Sequence, residues 1–214
     1  MLPAVRSLTR PFLVFGLTVS AIAAWSASAE AEAPAWTVDM EQSGIVFVAT
    51  QLGAPFEGAF QSFEADIRFD ADDLATSKAV VTIDTTSFDS GEQQRDDTAK
   101  GGQFFDVGTH PTAVFETTEM RLTDNGSYEA DATLTMKAIA KAVTLPFTLE
   151  IDGETARMEG SLTIDRTEWT VGTGEWLSGD TVGKEVEIRL TVTATRVADA
   201  LVPTPKVATK PTAD

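Results

Sequence analysis

Few side chains in this sequence have the types and spacing needed for chemistry. Among 214 residues there is one His, His110, and no Cys. A serine nucleophile would need His110 as its base, yet no G-x-S-x-G segment accompanies it. The acids Asp70, Asp72 and Asp73 lack the spacing of a calcium loop and predict a solvated turn. Thiolate catalysis, disulfides, iron–sulfur clusters and multi-histidine metal sites are excluded. We expect no enzyme, no cofactor and no metal.

The charge balance excludes further classes of partner. The chain has 33 acidic and 16 basic side chains, which gives a formal charge of −17. Nucleic acids and anionic lipid surfaces are bound through clustered Lys and Arg, so neither is expected here.

Both ends of the chain differ from the middle. Residues 1–29 contain Arg6 and Arg10, an apolar run over 12–25 and the small residues Ala27-Ser28-Ala29. This pattern predicts a cleaved signal peptide and export to the periplasm, with an uncleaved anchor as the alternative. The mature chain would carry 14 − 33 = −19 charges and no membrane span. Residues 198–214 are rich in Pro and Thr and predict a flexible tail, which leaves one folded domain over 35–197.

The middle of the chain alternates between apolar and polar residues with period two, which is typical of half-buried strands. Only the polar segment 91–101 predicts a short helix, and no long helical crossover is available for parallel strands. The sequence predicts an all-β antiparallel fold, either a sandwich or a closed barrel. The eight predicted strands cover residues 45–51, 63–70, 78–84, 112–121, 128–136, 143–151, 158–164 and 186–194.

A series of short motifs follows the order found in one known family. They are Trp36-Thr37-Val38-Asp39, Gly58-Ala59-Phe60, Ile67-Arg68-Phe69-Asp70, Arg95-Asp96, Phe104-Phe105-Asp106, Val143-Thr144-Leu145-Pro146-Phe147, Asp165-Arg166 and Val182-Gly183. In this order the chain resembles the YceI-like family of polyisoprenoid-binding proteins from Trp36 to about Ala194. It departs from the family at Ala132, Ala138 and Ala140, where Gly, Gly and Thr are usual. The loss of glycine at Ala138 puts the geometry of that hairpin in question.

The resemblance implies a single eight-stranded, lipocalin-like antiparallel barrel with one short helix, whose cavity holds a polyisoprenoid or an isoprenoid quinone by its tail. Arg95, Trp169 and Trp176 are candidates for the cavity mouth and the ligand head group. Two alternatives stay open: a filled barrel that serves as an interaction module for a membrane redox partner, and an enzyme that modifies a bound lipid. The inward faces of the strands supply the candidate lining residues Phe47, Phe63, Ile67, Val81, Ile83, Phe115, Leu134, Leu145, Phe147, Leu162, Ile188 and Leu190.

Overall fold

The structure, a computed structural model, describes residues 32–198. The predicted signal peptide over 1–29 and the predicted tail from 199 onward lie outside these residues. Within the described part, one α-helix, α1 (Gln93–Lys100), accompanies an antiparallel sheet. The strands are β1 (Ala35–Val38), β2 (Gly44–Gln51), β3 (Ala54–Phe60), β4 (Phe63–Arg68), β5 (Lys78–Asp84), β6 (Phe88–Asp89), β7 (Thr112–Leu122), β8 (Tyr128–Met136), β9 (Ile139–Asp152), β10 (Thr155–Asp165) and β11 (Glu185–Arg196).

Eight of these strands form a closed ring. The order is β1, β4, β5, β7, β8, β9, β10 and β11, and β1 pairs again with β11. Trp36 lies opposite both Ile67 of β4 and Arg196 of β11, so this short strand closes the barrel. Alternate residues of each strand point to opposite faces, and the apolar set faces inward. The prediction of a single eight-stranded antiparallel barrel with one helix is confirmed.

The eight predicted strands are all present, but the eight that form the ring are a different set. β2 pairs with β11 and β3, and β3 pairs with β6, so these three strands continue the sheet beyond the ring. β11 therefore carries two neighbours on one edge, with β1 beside Ala194 to Arg196 and β2 beside Glu187 to Thr191. The sequence analysis missed β1, β3 and β6 and assigned β2 to the barrel wall.

A β-bulge explains why β7 alternates less strictly than its neighbours. The register with β8 shifts between Thr117 and Glu119, so that Thr118 is an extra residue. Phe115 and Thr117 border the interior before the shift, and Met120 is buried after it. A single inserted residue moves the inward face from odd to even positions.

The hairpin between β8 and β9 keeps its two-residue turn without glycine. Lys137 and Ala138 both have positive φ, at 49° and 60°. Such a turn requires left-handed backbone at both positions, which suits Gly and Asn better than Ala. The Lys137 ammonium donates a hydrogen bond to the Thr170 carbonyl at 3.0 Å, and Thr170 is itself left-handed with φ 55°. The hairpin whose geometry the sequence put in question is present, and its two turn residues adopt the left-handed backbone without glycine.

Candidate functional site

An apolar cavity of about 260 Å³ lies at one end of the barrel, and we call it cavity 1. Alternate residues of β2 place Phe47, Ala49 and Gln51 on its wall. The ends of β10 and β11 contribute Ile164, Val186 and Ile188. The helix α1 covers it, because Arg95, Thr98 and Ala99 share one helical face at spacings of three and four residues.

Aromatic rings form much of the wall of cavity 1. Phe47 stacks on Phe88 with ring centroids 4.7 Å apart, and it contacts Phe60 at 5.9 Å. Phe105 meets both Phe60 and Phe88 edge-on or tilted at 5.7 Å. Such rings supply large apolar area and offer few directional constraints to a bound molecule. The chemistry of the wall therefore suits an apolar chain or ring.

Arg95 is a cationic group on the wall of cavity 1. Its guanidinium carbon lies 4.0 Å above the centre of the Phe56 ring, and one terminal nitrogen lies 3.6 Å from the Glu92 carboxylate. The Nε atom is buried and donates to no atom of the described residues. Its neighbour Asp96 turns away and accepts from both the backbone and the hydroxyl of Ser90. Arg95 therefore places a positive charge at the wall of cavity 1, while Asp96 ties Ser90 to the helix.

A second arginine holds the loop that forms the opposite wall. Arg166 is 4 % exposed, and its guanidinium makes five hydrogen bonds to backbone carbonyls. Burial lowers the pKa of Arg166, although the adjacent Asp165 carboxylate opposes that shift. A guanidinium stays charged in proteins, so the positive charge is held by carbonyl dipoles instead of a carboxylate. The carbonyls belong to Val171, Gly172, Trp176, Val182 and Gly183.

The two candidate tryptophans have different places. Trp176 lines cavity 1, packs against Phe104 at 5.4 Å and donates its indole N–H to Gln103 at 3.1 Å. Trp169 is 1 % exposed, lies in the barrel core and donates to the Leu134 carbonyl at 2.9 Å. Of the three residues predicted for the mouth, the structure brings Arg95 and Trp176 to one cavity and places Trp169 in the core.

A second cavity of about 90 Å³, cavity 2, lies at the other end of the barrel and shares no lining residue with cavity 1. It has an apolar wall that includes Trp36, Met120 and Met158. The predicted lining residues are therefore divided. Phe47 and Ile188 line cavity 1; Ile67, Phe115, Leu145 and Phe147 line cavity 2; and Phe63, Val81, Ile83, Leu134, Leu162 and Leu190 line neither.

Several residues of cavity 1 were missed by the sequence analysis. Phe56, Phe60 and Phe88 lie on β3 and β6, two strands that were not predicted. The sequence predicted that Phe104 and Phe105 pack the helix onto the rim of the barrel, and did not assign them to the cavity wall. The signal that could have found them is the density of phenylalanine, since six phenylalanines line this one cavity.

Residues 32–198 show neither a metal-binding cluster nor a membrane-spanning helix. These residues contain no cluster of three or more His, Cys, Asp or Glu that could hold a metal ion. None of the helices they form is both long and apolar enough to cross a membrane.

A closed antiparallel barrel with an apolar cavity at one end defines a lipocalin-like protein. The sequence model of the YceI-like domain matches residues 36–194, nearly the whole described chain. A UPF0312 protein of Pseudomonas paraeruginosa is 30% identical over 191 residues, which cover 84% of this chain and 97% of that protein. The chain therefore belongs to the YceI-like family.

Other relatives cover less of the chain or share less sequence. A UPF0312 protein of Vibrio parahaemolyticus is 33% identical over 118 residues, and the match spans 54% of this chain and 62% of that relative. BcnA of Burkholderia cenocepacia is 37% identical, with a TM-score of 0.71 over 74% of this chain and 99% of its own. A polyisoprenoid-binding domain of Saccharophagus degradans shares the fold, with a TM-score of 0.61 over 77% of this chain and 99% of its own, at 14% identity.

Proposed function

We propose that this protein is an exported carrier, without catalytic activity of its own, that holds the tail of a polyisoprenoid or an isoprenoid quinone in cavity 1. The observation that carries the proposal is the aromatic and aliphatic wall of this cavity inside a closed barrel. Removing apolar surface from water contributes about 25 cal/mol per Å² and needs no directional partner. An apolar tail can therefore bind here without any reactive group.

The surroundings of cavity 1 support a ligand with one polar end. The guanidinium of Arg95 supplies a positive charge at the wall that can attract a polar or anionic head group, and Trp176 borders the same space. A similar fold in Saccharophagus degradans is described as a polyisoprenoid-binding domain, which favours the same chemical class for this chain. The leader pattern over 1–29 supports export, and an aqueous compartment between two membranes is where an insoluble tail needs a carrier.

The test begins with the molecule that copurifies with the protein. Protein purified without detergent is extracted with organic solvent, and the extract is identified by mass spectrometry. We expect a prenylated lipid in about equal molar amount to the protein. Protein from which no lipid is recovered, and which binds no prenyl alcohol when delipidated, would contradict the proposal.

The variant Ile188→Trp places an indole in the cavity from near the start of β11. Ile188 is half-buried, lies opposite Phe47 and Leu162, and faces cavity 1. In a filled core this substitution would overpack and cost about 1–3 kcal/mol. In an empty cavity we expect the free energy of unfolding of the delipidated protein to change by less than about 1 kcal/mol, while the copurifying lipid is lost.

The matched control is Ile151→Trp, because Ile151 is 43 % exposed on β9 and lines neither cavity. It should retain both stability and lipid. An Ile188→Trp protein that unfolds, while wild type yields no lipid, would favour the filled barrel instead.

A further inference from the structure

The inward residues of three strands fall into the same order along the barrel. On β10, Ile164 lines cavity 1, Met158 and Ala156 line cavity 2, and Leu162 lies between them and lines neither. Because inward positions recur every second residue, the inward positions from Ala156 to Ile164 mark five successive levels, and Gly160 occupies the level between Met158 and Leu162. Leu162 is therefore the one inward side chain of β10 that lies between the two cavities.

The same level is filled on β11 and β8. On β11, Ile188 lines cavity 1, Val192 lines cavity 2, and Leu190 lies between them. On β8, Met136 lines cavity 1, Ala130 lines cavity 2, and the buried Leu134 and Ala132 lie between them, with Leu134 as the larger side chain. We call Leu134, Leu162 and Leu190 the leucine layer.

Packing shows that the leucine layer separates the cavities. Leu162 and Leu190 each pack against both buried clusters of the barrel, the one around Ile164 and the one around Ala156. Leu162 and Leu190 are diagonal neighbours, because Leu162 lies opposite Ile188 and Leu190 lies opposite Gly160. Gly160 has no side chain, and Leu145 and Phe147 fill the space that one would occupy. Leu162 and Leu190 are half-buried, and Leu190 also borders an open groove that Gly160 lines.

We infer that the leucine layer is the floor of the binding site and sets the length of the chain that cavity 1 encloses. The inference rests on the proposed function, because it concerns the tail that enters this cavity. At about 260 Å³, cavity 1 falls below the range of about 300–1,000 Å³ typical of pockets that enclose a drug-sized ligand. The preferred ligand is a molecule whose enclosed apolar part is short. Leu162 and Leu190 are its specificity-determining residues.

The experiment measures affinity against chain length. Delipidated protein is titrated with prenyl alcohols of two to six isoprene units, and tryptophan fluorescence reports binding because Trp176 lines cavity 1. For wild type we expect affinity to rise with chain length up to a break. Beyond this break, each further isoprene unit should change the affinity by less than about twofold. Leu162→Ala removes part of the floor and should move this break by at least one unit, with a gain of about tenfold for the first additional unit.

Two further variants make the comparison specific. Leu190→Ala removes another side chain of the floor, so it should move the break in the same direction. It provides a second test if Leu162→Ala folds poorly. Leu149→Ala is the matched control, because it removes the same atoms from a half-buried leucine on the wall of cavity 2. It should leave the break where wild type has it. A wild-type affinity that rises without a break, or a break that moves equally in all variants, would overturn the inference.

Xenon separates the failure of this inference from that of the proposed function. Wild-type protein that binds no prenyl alcohol would contradict the carrier function while leaving the floor to be tested. In crystals under xenon pressure, wild type should then hold separate xenon sites above and below Leu162, and Leu162→Ala should gain a site between them. A continuous row of xenon through wild type would show that no floor exists.

Discussion

Replacing Arg166 by Met should destabilise the protein by about 3–5 kcal/mol, because the change leaves five carbonyls at the wall of cavity 1 without their donor. Buried carbonyls that lose their donor destabilise the folded state, because they are left without a hydrogen bond. Methionine recovers part of this loss, because it removes the cost of burying an ion and fills part of the space.

The assay is urea unfolding followed by circular dichroism, combined with hydrogen exchange of the backbone amides of residues 171–183. We expect the substitution to speed the exchange of these amides more than the exchange of the β10 amides, because the loop loses its anchor. The control is Arg157→Met, which removes an exposed arginine from β10, where it pairs with Glu159 at 2.9 Å. This control should change stability little. A loss below about 1 kcal/mol for Arg166→Met, or unchanged exchange in the loop, would refute the anchoring role.

Three other substitutions test the fold. Ala138→Gly should raise the free energy of unfolding by about 0.5–1 kcal/mol in urea unfolding, because glycine relieves the left-handed strain of the hairpin; no gain would mean the strain is negligible. Gly58→Ala should lower it by about 1–3 kcal/mol in the same assay, because the new methyl group would overlap the Phe47 ring; an unchanged value would contradict that close contact. The pKa of Asp131 is lowered, first by the hydrogen bond from Arg121, so the ionised form stabilises the fold. The stability of wild type over Asp131→Asn should be fully present above pH 3.8 and disappear as the pH falls through the lowered pKa; a difference independent of pH would contradict this reasoning.

Local pattern was sufficient for the long strands, and insufficient for the short ones. β11 alternates cleanly because one face meets the core and the other meets water. β3 contains Pro55 and Gly58, has no clean alternation and pairs with β6 at only two residues, so periodicity could not reveal it. β6 has only two residues. Short strands of this kind form because adjacent strands pair with them, and apolar alternation in the sequence does not reveal that pairing.

The cavity residues could be predicted only as inward-facing, because the position of a void depends on how side chains from distant strands fill space. Phe115 and Leu134 lie directly opposite each other, yet Phe115 borders cavity 2 and Leu134 belongs to the leucine layer. Arg166 could be noted as part of a family motif, but its carbonyl partners come from a loop that extends to Gly183. Their meeting follows from tertiary packing, which sequence spacing does not determine.

The closure of the ring through β1 and β11 also has a consequence for how the protein folds. Trp36 and Arg196 pair across almost the full described chain, so the last strand must be available before the first can be enclosed. The hairpins from β7 to β11 join neighbours in sequence and can form early, whereas the ends must meet against the entropy of a very long loop. Until they meet, β4 and β11 present unpaired edges to other chains. The seam between β1 and β11 is therefore where slow folding and aggregation would begin.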